Sequence, residues 1–200
     1  MPVAVFVGHS YVRRMKEYLA VHPEVKNGPP GLVWKYIGIG GAKLDPELPN
    51  FANISHYLPE IVALRPTVIF VHMGENDLMS SLPHEIVDDM LTFVQRLVVA
   101  CKPARVIIGQ LLAFPKNSPL GEASRYVNKQ LREFCKCEAN QPLPTRIQFW
   151  KQKLGVFGPN AAEHFIDGVH LDNKTTKKYC VSVGTIVSRC YNAWLRERQH

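Results

Sequence analysis

Short, almost wholly apolar runs alternate with longer stretches whose apolar residues recur at helical spacing. This alternation limits the fold more than any other feature of the chain. Thr67–Met73 (TVIFVHM) is the sharpest case. A strand with one wet face would alternate polar and apolar residues, whereas a nearly continuous apolar run fits a strand covered on both faces. Pro2–Val7, Leu32–Ile37, Arg105–Leu112 and Thr145–Trp150 read as four further strands. Between them, Ser10–Ala20 places Val12, Met15 and Leu19 on one helical side, and Asn53–Leu64 is a helix stopped by Arg65-Pro66. Pro83–Ala100 carries a proline at a tolerated early position, and Leu120–Lys136 and Asn173–Arg198 complete the helices. Strands alternating with helices predict an α/β three-layer sandwich, a mostly parallel five-stranded sheet with helices on both faces. No repeat, linker or low-complexity tract divides the 200 residues, so one domain over 1–200 is expected.

Several classes drop out. The most apolar helix segment, Leu91–Cys101, is broken by Gln95 and Arg96 and falls short of the roughly 18 residues of a membrane span. The first strand begins almost at Met1 with no basic leader before it. Five cysteines (Cys101, Cys135, Cys137, Cys180, Cys190) form an odd set without framework spacing, which predicts free thiols and a cytoplasmic or nuclear setting. The net charge of +7 gathers at Arg13, Arg14 and Lys16, at Lys174, Lys177 and Lys178, and at Arg189, Arg196 and Arg198. Such an excess either keeps a solvated face soluble or attracts RNA or an anionic membrane surface.

Ligands of parallel α/β sheets bind beyond the carboxyl ends of the strands. Those positions hold Gly8-His9-Ser10, then Gly38-Ile39-Gly40-Gly41, then Gly74-Glu75-Asn76-Asp77, and a late loop adds Asp167-Gly168-Val169-His170. These are the parts of an acyl-transfer site. A serine hydroxyl needs a base, which His170 can supply, and Asp167 three residues earlier can orient that imidazole. The amides of Ser10 and Gly41 and the Asn76 carboxamide can form an oxyanion hole, with Ser10 at the positive end of a helix. Each motif alone has a plainer reading: Ser10 as a helix cap, Gly41 as a turn, Asn76 as a loop-stabilising amide, Asp167 and His170 as a surface ion pair or part of a metal site. Their joint order favours chemistry.

In that order the four blocks resemble the SGNH hydrolase superfamily, the GDSL-type esterases. Gly8-His9-Ser10 looks like the first block, Gly41 the second, Gly74-x-Asn76-Asp77 the third and Asp167-x-x-His170 the last, over residues 3 to 171. The resemblance implies a flavodoxin-like sandwich, Ser10 as nucleophile, His170 as base oriented by Asp167, and Ser10, Gly41 and Asn76 as oxyanion donors. His9 departs from it, standing where the family usually has Asp, so the hydrogen bonding around the nucleophile must differ. More narrowly, the small basic chain resembles esterase modules of LINE-type retrotransposon proteins.

Competing signatures fail. Val12 replaces the last glycine of the α/β-hydrolase elbow, and Lys43 the third glycine of a dinucleotide fingerprint. Leu44 spoils a phosphate loop, Asp88 a zinc-protease helix, and Cys135-x-Cys137 has no second pair, so no cofactor or metal is called for. His22, His56, His72, His84, His164 and His200 read as structural or surface histidines, with His72 a core histidine satisfied at one nitrogen. Gln110 and Phe114 could line a substrate pocket. The expected function is hydrolysis of small carboxylic esters, acetyl esters first. The alternative is a non-catalytic module whose basic surface binds RNA or anionic lipid.

Overall fold

The computed structural model describes residues 1–26, 28–48, 52–112, 118–138, 145–152, 161–166 and 170–199. In chain order they form β1 (Val3–Gly8), α1 (Ser10–Val21), β2 (Val33–Gly38), α2 (Leu58–Ala63), β3 (Val68–His72), α3 (Pro83–Cys101), β4 (Arg105–Gly109), α4 (Pro119–Glu138), β5 (Arg146–Trp150) and α5 (Asn173–Glu197), with short 3₁₀ turns between. All five strands pair in parallel, in the order β2-β1-β3-β4-β5. This is the flavodoxin-like order, whose direction of winding reverses between β1 and β3.

Side chains alternate across each strand, and here both faces are covered. Val5, Val7, Ile69, Val71, Val106 and Ile108 pack into one core with α2, α3 and α4. Ala4, Phe6, Val68, Phe70 and Ile107 pack into a second core with α1 and α5. Every residue of β3 and β4 is buried, which explains their unbroken apolar runs. His72 follows Val68 and Phe70 on the same side of β3, so it points toward α1 and α5.

Two elements differ from the sequence expectation. The Asn53–Leu64 helix starts as a 3₁₀ turn, Ile54–Tyr57, and becomes α-helical only at Leu58. Asn53 caps that turn by accepting from the Ser55 amide at 2.8 Å, and Pro59 has no N–H for an α-type bond back to Ser55. Strand four stops at Gly109 rather than Leu112, because after the Gln110 amide, which still donates to the Trp150 carbonyl at 3.0 Å, the next two amides leave the ladder for side chains. The Leu111 amide donates to Asn128 Oδ1 and the Leu112 amide to Glu75 Oε1, both at 2.8 Å. All five cysteines are free, and burial pushes the thiols of Cys135 and Cys180 up to about 12. Among the described residues no helix is long and apolar enough to cross a membrane.

The placement of α1 depends on Gly38 at the end of β2. A Cβ there would lie 2.7 Å from Arg13 Cα and 2.9 Å from the Val12 carbonyl carbon, both rigid backbone. Overpacking of this kind costs about 1–3 kcal/mol. The Gly38→Ala variant is therefore expected to lower the free energy of unfolding in urea by at least that much. An unchanged midpoint would show that α1 does not pack this closely.

Candidate active site

The carboxyl ends of β1 and β3 lie side by side, with Gly8 paired to His72. From β1 the chain turns at His9 straight into α1. The amides of Val12 and Arg13 both donate to the His9 carbonyl, at 3.1 and 3.3 Å, and no side chain caps this helix. Ser10 is thus the first helical residue, not the cap. Its hydroxyl stands 3.3 Å from Nδ1 of His9.

Behind His9 lies a buried polar chain. His9 Nε2 is 2.7 Å from Glu75 Oε2, and His72 Nε2 is 2.7 Å from Glu75 Oε1. His72 Nδ1 is 2.6 Å from the hydroxyl of Tyr179 on α5. His9, His72, Glu75 and Tyr179 are each at most 4% exposed. Burial alone would raise the Glu75 pKa, but the imidazoles of His72 and His9 outweigh it and hold the carboxyl well below the usual carboxylate range. Glu75 is therefore ionised and can only accept hydrogen bonds.

The loops after β2 and β3 are stapled together. Gly41 stands in the turn after β2 at φ +75°, and the next carbonyl, that of Ala42, accepts from Asn76 Nδ2 at 2.9 Å. One residue on, Asp77 Oδ1 accepts from the Leu44 amide at 2.8 Å. Since His9 bonds Glu75 while Asn76 bonds Ala42, the segments bearing Ser10, Gly41 and Asn76 are linked by direct contacts between their neighbours.

His170 lies just ahead of α5. Its carbonyl accepts from the Ile166 amide at 2.8 Å, and Phe165 bridges Leu171, which is buried between α1 and α5. Asp167 and Phe114 lie outside the described residues. Gln110 Oε1 accepts from the Gln152 amide at 3.0 Å, tying the ends of β4 and β5 together. His72 is corrected, because both of its nitrogens are bonded rather than one. Sequence reasoning gave no functional role to Glu75 or Tyr179 and read His72 as a core histidine alone. The available signal was the His72-x-x-Glu75 spacing at the end of a buried strand, with His9 at the end of its neighbour.

His9, His72 and Glu75 also form a group whose ligand-type atoms lie within 4.8 Å of one another. Their separations suit N–H···O hydrogen bonds, each imidazole facing its own carboxylate oxygen. A metal would need ligand distances of about 2.0–2.2 Å to both kinds of atom, so this donor set fits a hydrogen-bonded cluster.

The family model described as GDSL-like lipase/acylhydrolase matches residues 7–179. The chain belongs to that family. It is accordingly a carboxylic ester hydrolase, with the SGNH fold that its sheet order already displays. No curated protein sequence matches it. Among solved structures it is similar to a lipolytic G-D-S-L family protein from Veillonella parvula, with a TM-score of 0.65 and 14% identity over 94% of this chain and 100% of the other. A carbohydrate esterase family 3 protein from Talaromyces cellulolyticus gives 0.66 and 12%, over 96% and 99%. A mutant acetyl esterase with an acetate ion gives 0.66 and 11%, over 96% and 100%. None of these three structures is described as a retrotransposon protein, so they add nothing to that narrower likeness.

Asp77 gives this esterase a pH signature. Burial raises its pKa to about 6, against the pull of the Leu44 and Asp45 amides, His9 and Lys43, and Oδ2 has no hydrogen-bond partner. Between its ordinary pKa and about 6 the folded protein binds a proton that the unfolded chain releases, so this contribution to stability falls as pH rises through that window. At about 1.4 kcal/mol per pKa unit, the effect is on the order of 2–3 kcal/mol. Urea unfolding at pH 4 and pH 7.5 should show Asp77→Asn gaining stability relative to wild type by about that amount at the higher pH. Equal pH trends in the two proteins would refute the raised pKa.

Proposed function

We propose that this esterase hydrolyses small esters with short acyl groups, acetyl first, through Ser10, His170 and Asp167. The observation that carries the reading is the Ser10 hydroxyl at the head of α1. It lies beside the point where the sheet order reverses, is not used to cap its helix, and has the Asn76–Ala42 staple nearby.

In this mechanism Ser10 Oγ attacks the ester carbonyl carbon while its proton passes to His170, and Asp167 stabilises the imidazolium. The tetrahedral oxyanion is held by the amides of Ser10 and Gly41 and by the N–H of Asn76 not bonded to Ala42. The positive end of α1 adds to this stabilisation. The C–O bond to the alcohol then breaks, and the alcohol leaves with the proton from His170. Water, deprotonated by the same base, attacks the acyl-serine and releases the carboxylic acid. The acyl preference is supported by likeness to an acetyl esterase structure.

The test is hydrolysis of p-nitrophenyl acetate, butyrate and octanoate by wild type, Ser10→Ala and His170→Ala. Removing a member of a Ser–His pair typically costs many thousand-fold in kcat. A loss of at least about 10³-fold is expected in both variants, with kcat/KM in wild type falling from acetate to octanoate. Undiminished turnover in Ser10→Ala would end the serine mechanism, and a preference for octanoate would end the short-acyl assignment.

A further inference from the structure

We propose that His9 is a second base at the nucleophile, held in the basic tautomer by the buried Glu75. This rests on the reading of Ser10 as nucleophile and adds an imidazole from within the same turn of chain.

The assignment follows from hydrogen-bond bookkeeping. An ionised Glu75 cannot donate, so at 2.7 Å His9 Nε2 and His72 Nε2 must each carry the proton. A third donor, the Leu112 amide, reaches Oε1 at 2.8 Å. With its proton on Nε2, neutral His9 presents a bare lone pair at Nδ1, and what stands there is the Ser10 hydroxyl. His72 likewise has a bare Nδ1, which accepts from the Tyr179 hydroxyl, so the chain ends in a group that can complete it without a second charge. Serine, imidazole and carboxylate therefore stand in the order of a hydrolytic triad, supplied by the head of α1, the residue joining it to β1 and the turn that follows β3.

The surroundings favour a proton arriving at Nδ1. The groups facing His9 are Glu75, His72 and Asp77 from β3 and the turn after it, and Tyr11 from α1, whose ring centroid is 5.0 Å away. Tyr179 of α5 reaches His9 through His72 and through the ring of Tyr11, whose centroid is 6.2 Å from its own. The facing charges are carboxylates, and Glu75 is in direct contact. When Ser10 Oγ bonds to the carbonyl carbon, its O–H bond breaks and the proton moves to His9 Nδ1. The imidazolium so formed lies against the Glu75 carboxylate, and the same proton leaves with the alkoxide when the tetrahedral intermediate collapses. His9 touches a reacting atom and is a catalytic residue in this scheme. Glu75, His72 and Tyr179 are positioning residues that fix its tautomer.

The experiment compares His170→Ala with the double variant His9→Gln/His170→Ala, reading p-nitrophenyl acetate hydrolysis and labelling of Ser10 by a fluorophosphonate from pH 5 to 9. Glutamine keeps an N–H donor for Glu75 and removes the base. The His170→Ala protein should retain hydrolysis and labelling at least about 10-fold above the double variant, falling on the acid side and levelling off on the alkaline side. Glu75→Gln in the His170→Ala background should remove most of that remainder. Equal rates in the single and double variants would overturn the proposal. So would a rate in His170→Ala that climbs in proportion to hydroxide with no plateau, a readout that needs no folded His9 variant. Full turnover in Ser10→Ala would instead overturn the serine esterase reading beneath it.

Discussion

Glu75 places a negative charge among the end of β1, the end of β3 and the segment leaving β4, and the architecture of this esterase's site depends on how that charge is satisfied. A buried carboxylate without partners would cost several kcal/mol and would take up a proton instead. Here two imidazole N–H groups and one amide meet its two oxygens. Each donor comes from a different part of the chain, so satisfying the carboxylate also fixes where those parts stand. A half-satisfied network of this kind would be worse than an apolar core, which gives the site strong reason to form completely.

The sheet makes such a position available. With α1 and α5 on one face and α2, α3 and α4 on the other, β3 and β4 are buried at every residue and β1 at all but its first. Polar chemistry is confined to where the strands stop. Because winding reverses between β1 and β3, their following segments diverge and leave room between them. His9 and Glu75 meet across that opening, and the stapled loops carrying Gly41 and Asn76 flank it.

Much of this was legible in the sequence, for identifiable reasons. Burial on both faces writes itself as runs such as TVIFVHM, so strands and layers could be read directly, and the four separated blocks carried the family. Where reading failed, the cause was an interaction between distant residues. Strand four looked longer because Gln110–Leu112 is apolar enough for a strand, but the partners that take the Leu111 and Leu112 amides, Asn128 and Glu75, are remote in sequence. His72 looked half-satisfied because nothing nearby in sequence announces Tyr179, 107 residues further on. His9 stood out as a departure from the family's block, yet its role depends on a pairing that only the β1–β3 register creates.

Tyr179 also bears on the order in which this enzyme becomes competent. Ser10 stands at the head of α1, but the hydroxyl that completes the buried chain behind it comes from α5, and His170 lies just ahead of that helix. During synthesis β1, β2 and β3 can assemble first, leaving the His9–Glu75–His72 chain open at its α1/α5 face. Contacts that close loops of more than a hundred residues are slow to form and carry a large entropic cost. The buried His9–Glu75–His72–Tyr179 chain is therefore complete only once α5 has docked, so its formation reports that the fold from β1 through α5 has assembled.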